Sequence, residues 1–179
     1  MLRFYFLILL CLPVTLRADG WEALRAPDTI AIMRHALAPG TGDPAGFQLG
    51  DCSTQRNLDA RGQEQARKIG AALRERGIVF DQVLSSEWCR TRETAELMDV
   101  GPVIAYPPLN SFFQDYATRD SQTSALRDRL AETTGKLVLV THQVNISALT
   151  GQGARSGEIL VLRRVDDAIT VMGSIMIDP

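Results

Sequence analysis

Four short apolar runs, each leading toward a stretch with helical spacing, leave this chain few ways to fold. They are "TIAIM" at 29–33, "FDQVLSS" at 80–86, "PVIAYP" at 102–107 and "KLVLVT" at 136–141. Short apolar, β-branched runs bounded by turn residues read as buried strands. Between the first two, Ala66, Ile69, Gly70 and Leu73 recur at helical spacing, with Asp59 placed as N-cap and Gly77 as the residue that ends the helix. A second helix is expected from about Cys89 to Met98. A third runs through "SALRDRLAETTG", burying Leu126 and Leu130 and stopping at Gly135, and a short fourth through "VNISALT". Strands that alternate with helices imply βαβ units and a mainly parallel sheet. The C-terminus breaks the rhythm: "GEILVLRR", "VDDA" and "ITVMGSIMI" read as a hairpin that adds antiparallel strands, so the sheet is mixed.

The first residues differ in kind. In "MLRFYFLILLCLPVTLRA", Arg3 precedes an apolar core from Phe4 to Val14, the pattern of a secretory signal. The apolar run is too short to span a bilayer comfortably. Cleavage after Ala18 is expected, leaving residues 19–179 as a single domain in a periplasmic or secreted location. An uncleaved anchoring helix is the competing reading. Cleavage removes Arg3 and Arg17 and so lowers the formal net charge of −2 by two. There is no basic excess for nucleic acid to meet. It also removes Cys11, leaving Cys52 and Cys89. In an oxidising compartment these two are expected to form a disulfide, the alternative being two unrelated small buried residues. Neither a C-x-x-C nor a histidine cluster is present, so no metal site is expected.

Only two histidines occur, and each closes an apolar run: His35 after "TIAIMR" and His142 after "KLVLVT". Ligands of doubly wound sheets collect beyond the C-terminal ends of the parallel strands, where both would sit. Taken singly, a histidine there is also a common hydrogen-bonded structural residue, His142 could cap the helix after it, and Arg34 could pair with a carboxylate. Arg90 falls in the first turn of a helix that follows a strand. Exposed helical N–H groups and a guanidinium fork in that place suit an oxyanion such as phosphate. A solvated face is the alternative, since Arg92, Glu93 and Glu96 are near. The segment 36–56 is rich in Gly, Pro, Asp, Ser and Thr without periodicity, and a loop of that length is usually functional or disordered.

From about Thr29 to Val161 the chain resembles the histidine phosphatase superfamily, also called phosphoglycerate mutase-like. That family's Arg-His-Gly signature corresponds to Arg34-His35-Ala36, and its L-x-x-x-G-x-x-Q-A helix to Leu58, Gly62, Gln65 and Ala66. Its S-x-x-x-R-x-x-x-T-A segment corresponds to Ser86, Arg90, Thr94 and Ala95, and its second histidine to His142. The resemblance implies an α/β three-layer sandwich with a mainly parallel mixed sheet flanked by helices. It also implies that His35 attacks phosphorus to give a phosphohistidine while Arg34, Arg90 and His142 hold the non-bridging oxygens. Neutral imidazole is nucleophilic near neutral pH, and a cationic cradle is the chief need of phosphoryl transfer. Arg56 is a further clamp or a surface arginine. No metal or cofactor is required.

The chain also departs from the family pattern. Ala36 stands where glycine is usual, and Glu87-Trp88 replaces a proline-containing pair. Where one branch has an aspartate after its second histidine this chain has Gln143, and where another has a glutamate it offers Asn110 and Ser111 in "LNSFFQD". Glu87 and Asp115 are the candidates for general acid. A leaving group of low pKa needs little protonation. Phe112 and Phe113 are apolar walls of the pocket or ordinary core. The expectation is an exported phosphatase acting on a small-molecule or envelope phosphate ester. Export argues against a glycolytic mutase and against a phosphohistidine signalling enzyme, whose substrates are cytosolic. The alternative is a non-catalytic phosphate-ligand binding protein with the same pocket. No G-x-S-x-G elbow supports a serine hydrolase.

Overall fold

The computed structural model describes residues 19–166 and 168–179; the expected leader, residues 1–18, lies outside the described residues. In chain order the elements are α1 (Gly20–Arg25), β1 (Thr29–Arg34), α2 (Ala60–Glu75), β2 (Gln82–Ser85), α3 (Cys89–Met98), β3 (Val103–Ala105), α4 (Arg119–Glu132), β4 (Leu137–Thr141), α5 (Gln143–Thr150), β5 (Ile159–Val165) and β6 (Ala168–Ile175). Six strands form one sheet in the order β3-β2-β4-β1-β5-β6. β1, β2, β3 and β4 pair in parallel, while β5 lies antiparallel to β1 and β6 antiparallel to β5. The mixed sheet expected from the sequence is therefore present, C-terminal hairpin included.

Why the central strands read as unbroken apolar runs follows from their neighbours. Side chains alternate across a strand, so a sheet covered on both faces needs apolar residues at every position. In β1, Ala31 and Met33 join one core with Ile69, Leu73, Ala95 and Met98 of α2 and α3. Ile30 and Ile32 join the other with Leu126, Leu130, Ile146 and Leu149 of α4 and α5. β4 divides the same way, Val138 and Val140 to the first core and Leu137 and Leu139 to the second. Each such side chain, removed from water, contributes about 1.5–3 kcal/mol before entropy is counted. Together the layers make a three-layer sandwich.

α2 ends where the sequence predicts, with Asp59 accepting the Gly62 N–H at 2.8 Å and Gly77 beyond its last turn at φ +67°. α4 begins upstream of the expected segment. A single turn at Tyr116–Thr118, capped by Asp115, feeds directly into it. α1 has no counterpart in the sequence reading; it is one and a half turns long and anchors fully buried Leu24 in the first core. Among the described residues no helix is long and apolar enough to cross a membrane.

The chain leaves β1 for α2 on one face and leaves β4 for α5 on the other. β1 and β4 are neighbours, so their C-terminal ends flank the point where the winding reverses, which is where sheets of this kind bind ligands.

Candidate active site

Register alone brings the two histidines together. Arg34 stands opposite Thr141 across the β1–β4 pair, and the His35 N–H donates to the Thr141 carbonyl at 3.0 Å. The next residue of each strand is the histidine, and the ring centroids lie 5.6 Å apart. Ser86 follows β2 on the other side of β4, its N–H donating to the Val140 carbonyl at 3.0 Å. Both histidines are buried, at 2% and 4% exposure.

Their tautomers follow from their partners. His35 Nδ1 is 2.7 Å from the Ala36 carbonyl, which can only accept, so Nδ1 carries the hydrogen and Nε2 keeps its lone pair. His142 Nδ1 lies 3.4 Å from Arg90 Nη2, which can only donate. Its hydrogen is therefore on Nε2 and goes to Ser86 Oγ at 2.9 Å, and that hydroxyl donates onward to Asn110 Oδ1. His142 opens α5 but makes no side-chain cap. Burial, followed by the positive field of Arg90, holds His35 well below the usual imidazole pKa. Burial, followed by His35 and then the arginines, does the same to His142. Both rings are neutral at neutral pH.

Three arginines face this pair. Arg34 is half-buried, with its Nη1 donating to the Ala154 carbonyl at 3.5 Å and its buried Nε unpartnered. Arg56 is fixed by the loop itself, Nε to the Gly42 carbonyl and Nη1 to that of Ala38. Burial and the Arg90 charge pull its pKa down to about 10. Arg90 is held by a residue absent from the sequence expectations. Its Nη1 and Nη2 donate to the two oxygens of Asp43 at 2.7 and 3.1 Å, a bidentate pair with side chains only 3% and 6% exposed. Asp43 also accepts from the Trp88 indole at 3.0 Å and from the Arg56 backbone N–H at 3.1 Å. Burial pushes its carboxyl up, but the Arg90 hydrogen bond and charge outweigh this and leave it below the ordinary range.

The remaining residues of the resemblance are supports. The Gln65 side chain, fully buried, accepts from the Leu37 N–H and donates to the carbonyls of Ser156 and Ile177, pinning the chain that leaves His35. Gly62 abuts the Leu37 carbonyl so closely that any Cβ would collide with it. Thr94 accepts the Ala36 N–H at 3.0 Å. Ala36 is not in the left-handed region, so the backbone there does not demand glycine. At the start of α3 two N–H groups are already taken: that of Cys89 goes to Gln55 and that of Trp88 to Ser86. The Cys52–Cys89 disulfide is present and joins the 36–56 loop to the first residue of α3. With a separation of 37 residues, the chain-entropy account gives such a bridge roughly 4 kcal/mol.

Between these groups lies a cavity of about 220 Å³ lined by Arg34, His35, Arg56, Arg90, His142 and Asp43. Its mouth is formed by Thr41, Ser111, Phe113, Gln114, Gln143 and Val144. The expected set of Arg34, His35, Arg90 and His142 is thus brought together, with Arg56 beside it. The two acid candidates are not. Glu87 accepts from the Asn110 side chain and lines a separate depression near Leu49 and Val103. Asp115 is exposed and caps the turn before α4. The phenylalanines divide: Phe112 is core at 2% exposure, and Phe113 stands at the mouth at 49%.

Residues 30–109 match the model of the Histidine phosphatase superfamily (branch 1). A serine/threonine-protein phosphatase Pgam5, mitochondrial, of Drosophila grimshawi is 38% identical over 52 residues. A broad-specificity phosphatase YOR283W of Saccharomyces cerevisiae is 48% identical over 42 residues. These matches take in 29% and 24% of this chain and 18% of either relative. Among solved structures, the protein histidine phosphatase SixA complexed with tungstate superposes with a TM-score of 0.59 at 15% identity, covering 82% of this chain and 96% of that one. The alpha-ribazole phosphatase from Shigella flexneri gives 0.55 at 19%, covering 80% and 94%. At these identities the structures speak for the fold, while the matched sequence carries the Arg-His pair, the Gln65 helix and Arg90. Over residues 30–109, less than half of its length, this chain is similar to the histidine phosphatase superfamily.

Proposed function

We propose that the protein is an exported phosphatase that hydrolyses phosphomonoesters through a phosphohistidine on His35. The observation that carries the reading is the lone pair of His35 Nε2, kept free by the Nδ1 hydrogen bond, in a cavity walled by three arginines. Nε2 attacks phosphorus and the bond to the leaving oxygen breaks, that oxygen departing with the electron pair. Water then attacks phosphorus, the P–N bond breaks with its pair returning to Nε2, and the water proton passes to solvent. Arg34, Arg56 and Arg90 stabilise the charge on the non-bridging oxygens in both steps, in a site where low dielectric strengthens each contact. The tungstate in SixA, an oxyanion held by a protein of this fold, agrees with that role. Export is supported by the signal pattern of residues 1–18 and by the disulfide, a bond of oxidising compartments.

The test is turnover of acetyl phosphate by the purified protein, with quenching in alkaline detergent to trap phosphate on the enzyme. The wild type turns over and holds alkali-stable, acid-labile phosphate, and His35→Ala does neither. Oxyanion binding without turnover would instead indicate the non-catalytic binder. Sequencing of the same preparation from its N-terminus should begin at Asp19; an intact Met1 overturns export.

A further inference from the structure

The cavity also limits what can leave from phosphorus. Three arginines and one carboxylate line it, and both histidines are neutral, so the pocket carries two net positive charges. That balances the dianion of a phosphomonoester. The mouth residues Thr41, Ser111, Phe113, Gln114, Gln143 and Val144 are all uncharged, so nothing there meets a second charged group.

A departing alkoxide would need a proton, and every acidic hydrogen in the cavity is committed elsewhere. Among the described residues Asp43 is the only carboxylate in the lining, and its oxygens already accept from Arg90, Trp88 and the Arg56 backbone. The His35 Nδ1 hydrogen goes to Ala36 and the His142 Nε2 hydrogen to Ser86. Ser111 and Gln114 can donate hydrogen bonds but do not give up protons near neutral pH. The leaving oxygen therefore has to be stable as an anion.

Shape supplies the rest. Phe113 stands half-exposed at the mouth beside Gly42, where an added methyl would lie 3.8 Å from its ring. Trp88 also lines the cavity, edge-on to His142 with centroids 5.4 Å apart. An aromatic leaving group packed on Phe113 gains a ring contact that a non-aromatic one lacks. At about 220 Å³ the cavity is smaller than the roughly 300–1,000 Å³ of pockets for drug-sized ligands.

We infer that the substrates are small aryl phosphomonoesters, from which a phenolate leaves without general-acid assistance. This rests on the phosphohistidine reading above. The experiment measures kcat/KM, which reports the first transfer, for substituted phenyl phosphates of graded phenol acidity, for glycerol phosphate and for acetyl phosphate, a good leaving group without a ring. Phenyl phosphates should exceed glycerol phosphate by at least about 100-fold, the usual contribution of the missing acid, and should slow as the phenol becomes more basic. Phe113→Ala should lower the phenyl-to-acetyl ratio about fivefold. Glycerol phosphate within tenfold of phenyl phosphate, or a ratio unmoved by Phe113→Ala, overturns the inference while acetyl phosphate turnover leaves the phosphatase reading standing. Absence of turnover on every substrate overturns the phosphatase reading itself.

Discussion

A carboxylate in an anion pocket would ordinarily compete with the ligand. Asp43 is tolerated because Arg90, at 3% exposure, would otherwise be a buried cation with little to satisfy its fork. The pair trades one charge of attraction toward phosphate for a guanidinium held in a single orientation. Breaking a buried pair by removing one partner costs about 3–5 kcal/mol, because the remaining charge stays desolvated. Asp43→Ala should therefore lower the thermal midpoint by roughly 10 °C and weaken vanadate binding as Arg90 loses its orientation. Asp43→Asn keeps an oxygen for Trp88 and Arg90 and should fall between the two in both measurements. Equal midpoints and equal vanadate affinity for Asp43→Ala and the wild type would show that Asp43 does not position Arg90. Little in the sequence distinguishes this residue. Asp51 lies in the same loop and, like Asp43, directly follows a glycine, yet it only caps the turn at Cys52–Thr54. Which carboxylate reaches Arg90 depends on how a 36–56 loop without periodicity folds back, and residue spacing does not encode that.

At the level of elements, legibility follows burial. β1 and β4 are covered on both faces, so their apolar runs announce them, and His35 and His142 at their exits could be assigned to one site before any coordinates. α2 was equally plain, because its caps and small buried residues fall at helical spacing, and α3 runs over the expected Cys89–Met98 without a side-chain cap. α4 was only half legible. Its first turn, Arg119–Gln122, buries nothing, and Leu126 and Leu130 are its only fully buried residues, so periodicity is silent until they appear. β3 is an edge strand with all three residues exposed, and its Pro and Tyr neighbours rather than its burial betray it. The acid candidates failed for a related reason. Glu87 lies next to the right elements, but its side chain turns to Asn110, a partner brought by a distant loop.

For the molecule as a whole, the site and the fold share their weakest point. The sheet reverses its winding between β1 and β4, and there the structure buries two imidazoles in their neutral form instead of completing an apolar core. Both have folded-state pKa values depressed below the unfolded value of about 6.5. The unfolded chain therefore binds more protons than the native one below that pH. The stability these groups allow is present in full above about pH 6.5 and is lost as pH falls toward their folded-state values. Each histidine contributes a slope of up to about 1.4 kcal/mol per pH unit in that window. Asp43 adds loss of the same sign only at lower pH, beneath the ordinary carboxylate value near 3.9. Urea unfolding followed from pH 7.5 to 5 should show stability falling on the acid side. In His142→Gln, where one imidazole no longer titrates, the slope should be about half as steep. Stability that is flat or rises over that interval would mean that the two rings do not sit neutral and buried at the head of the sheet.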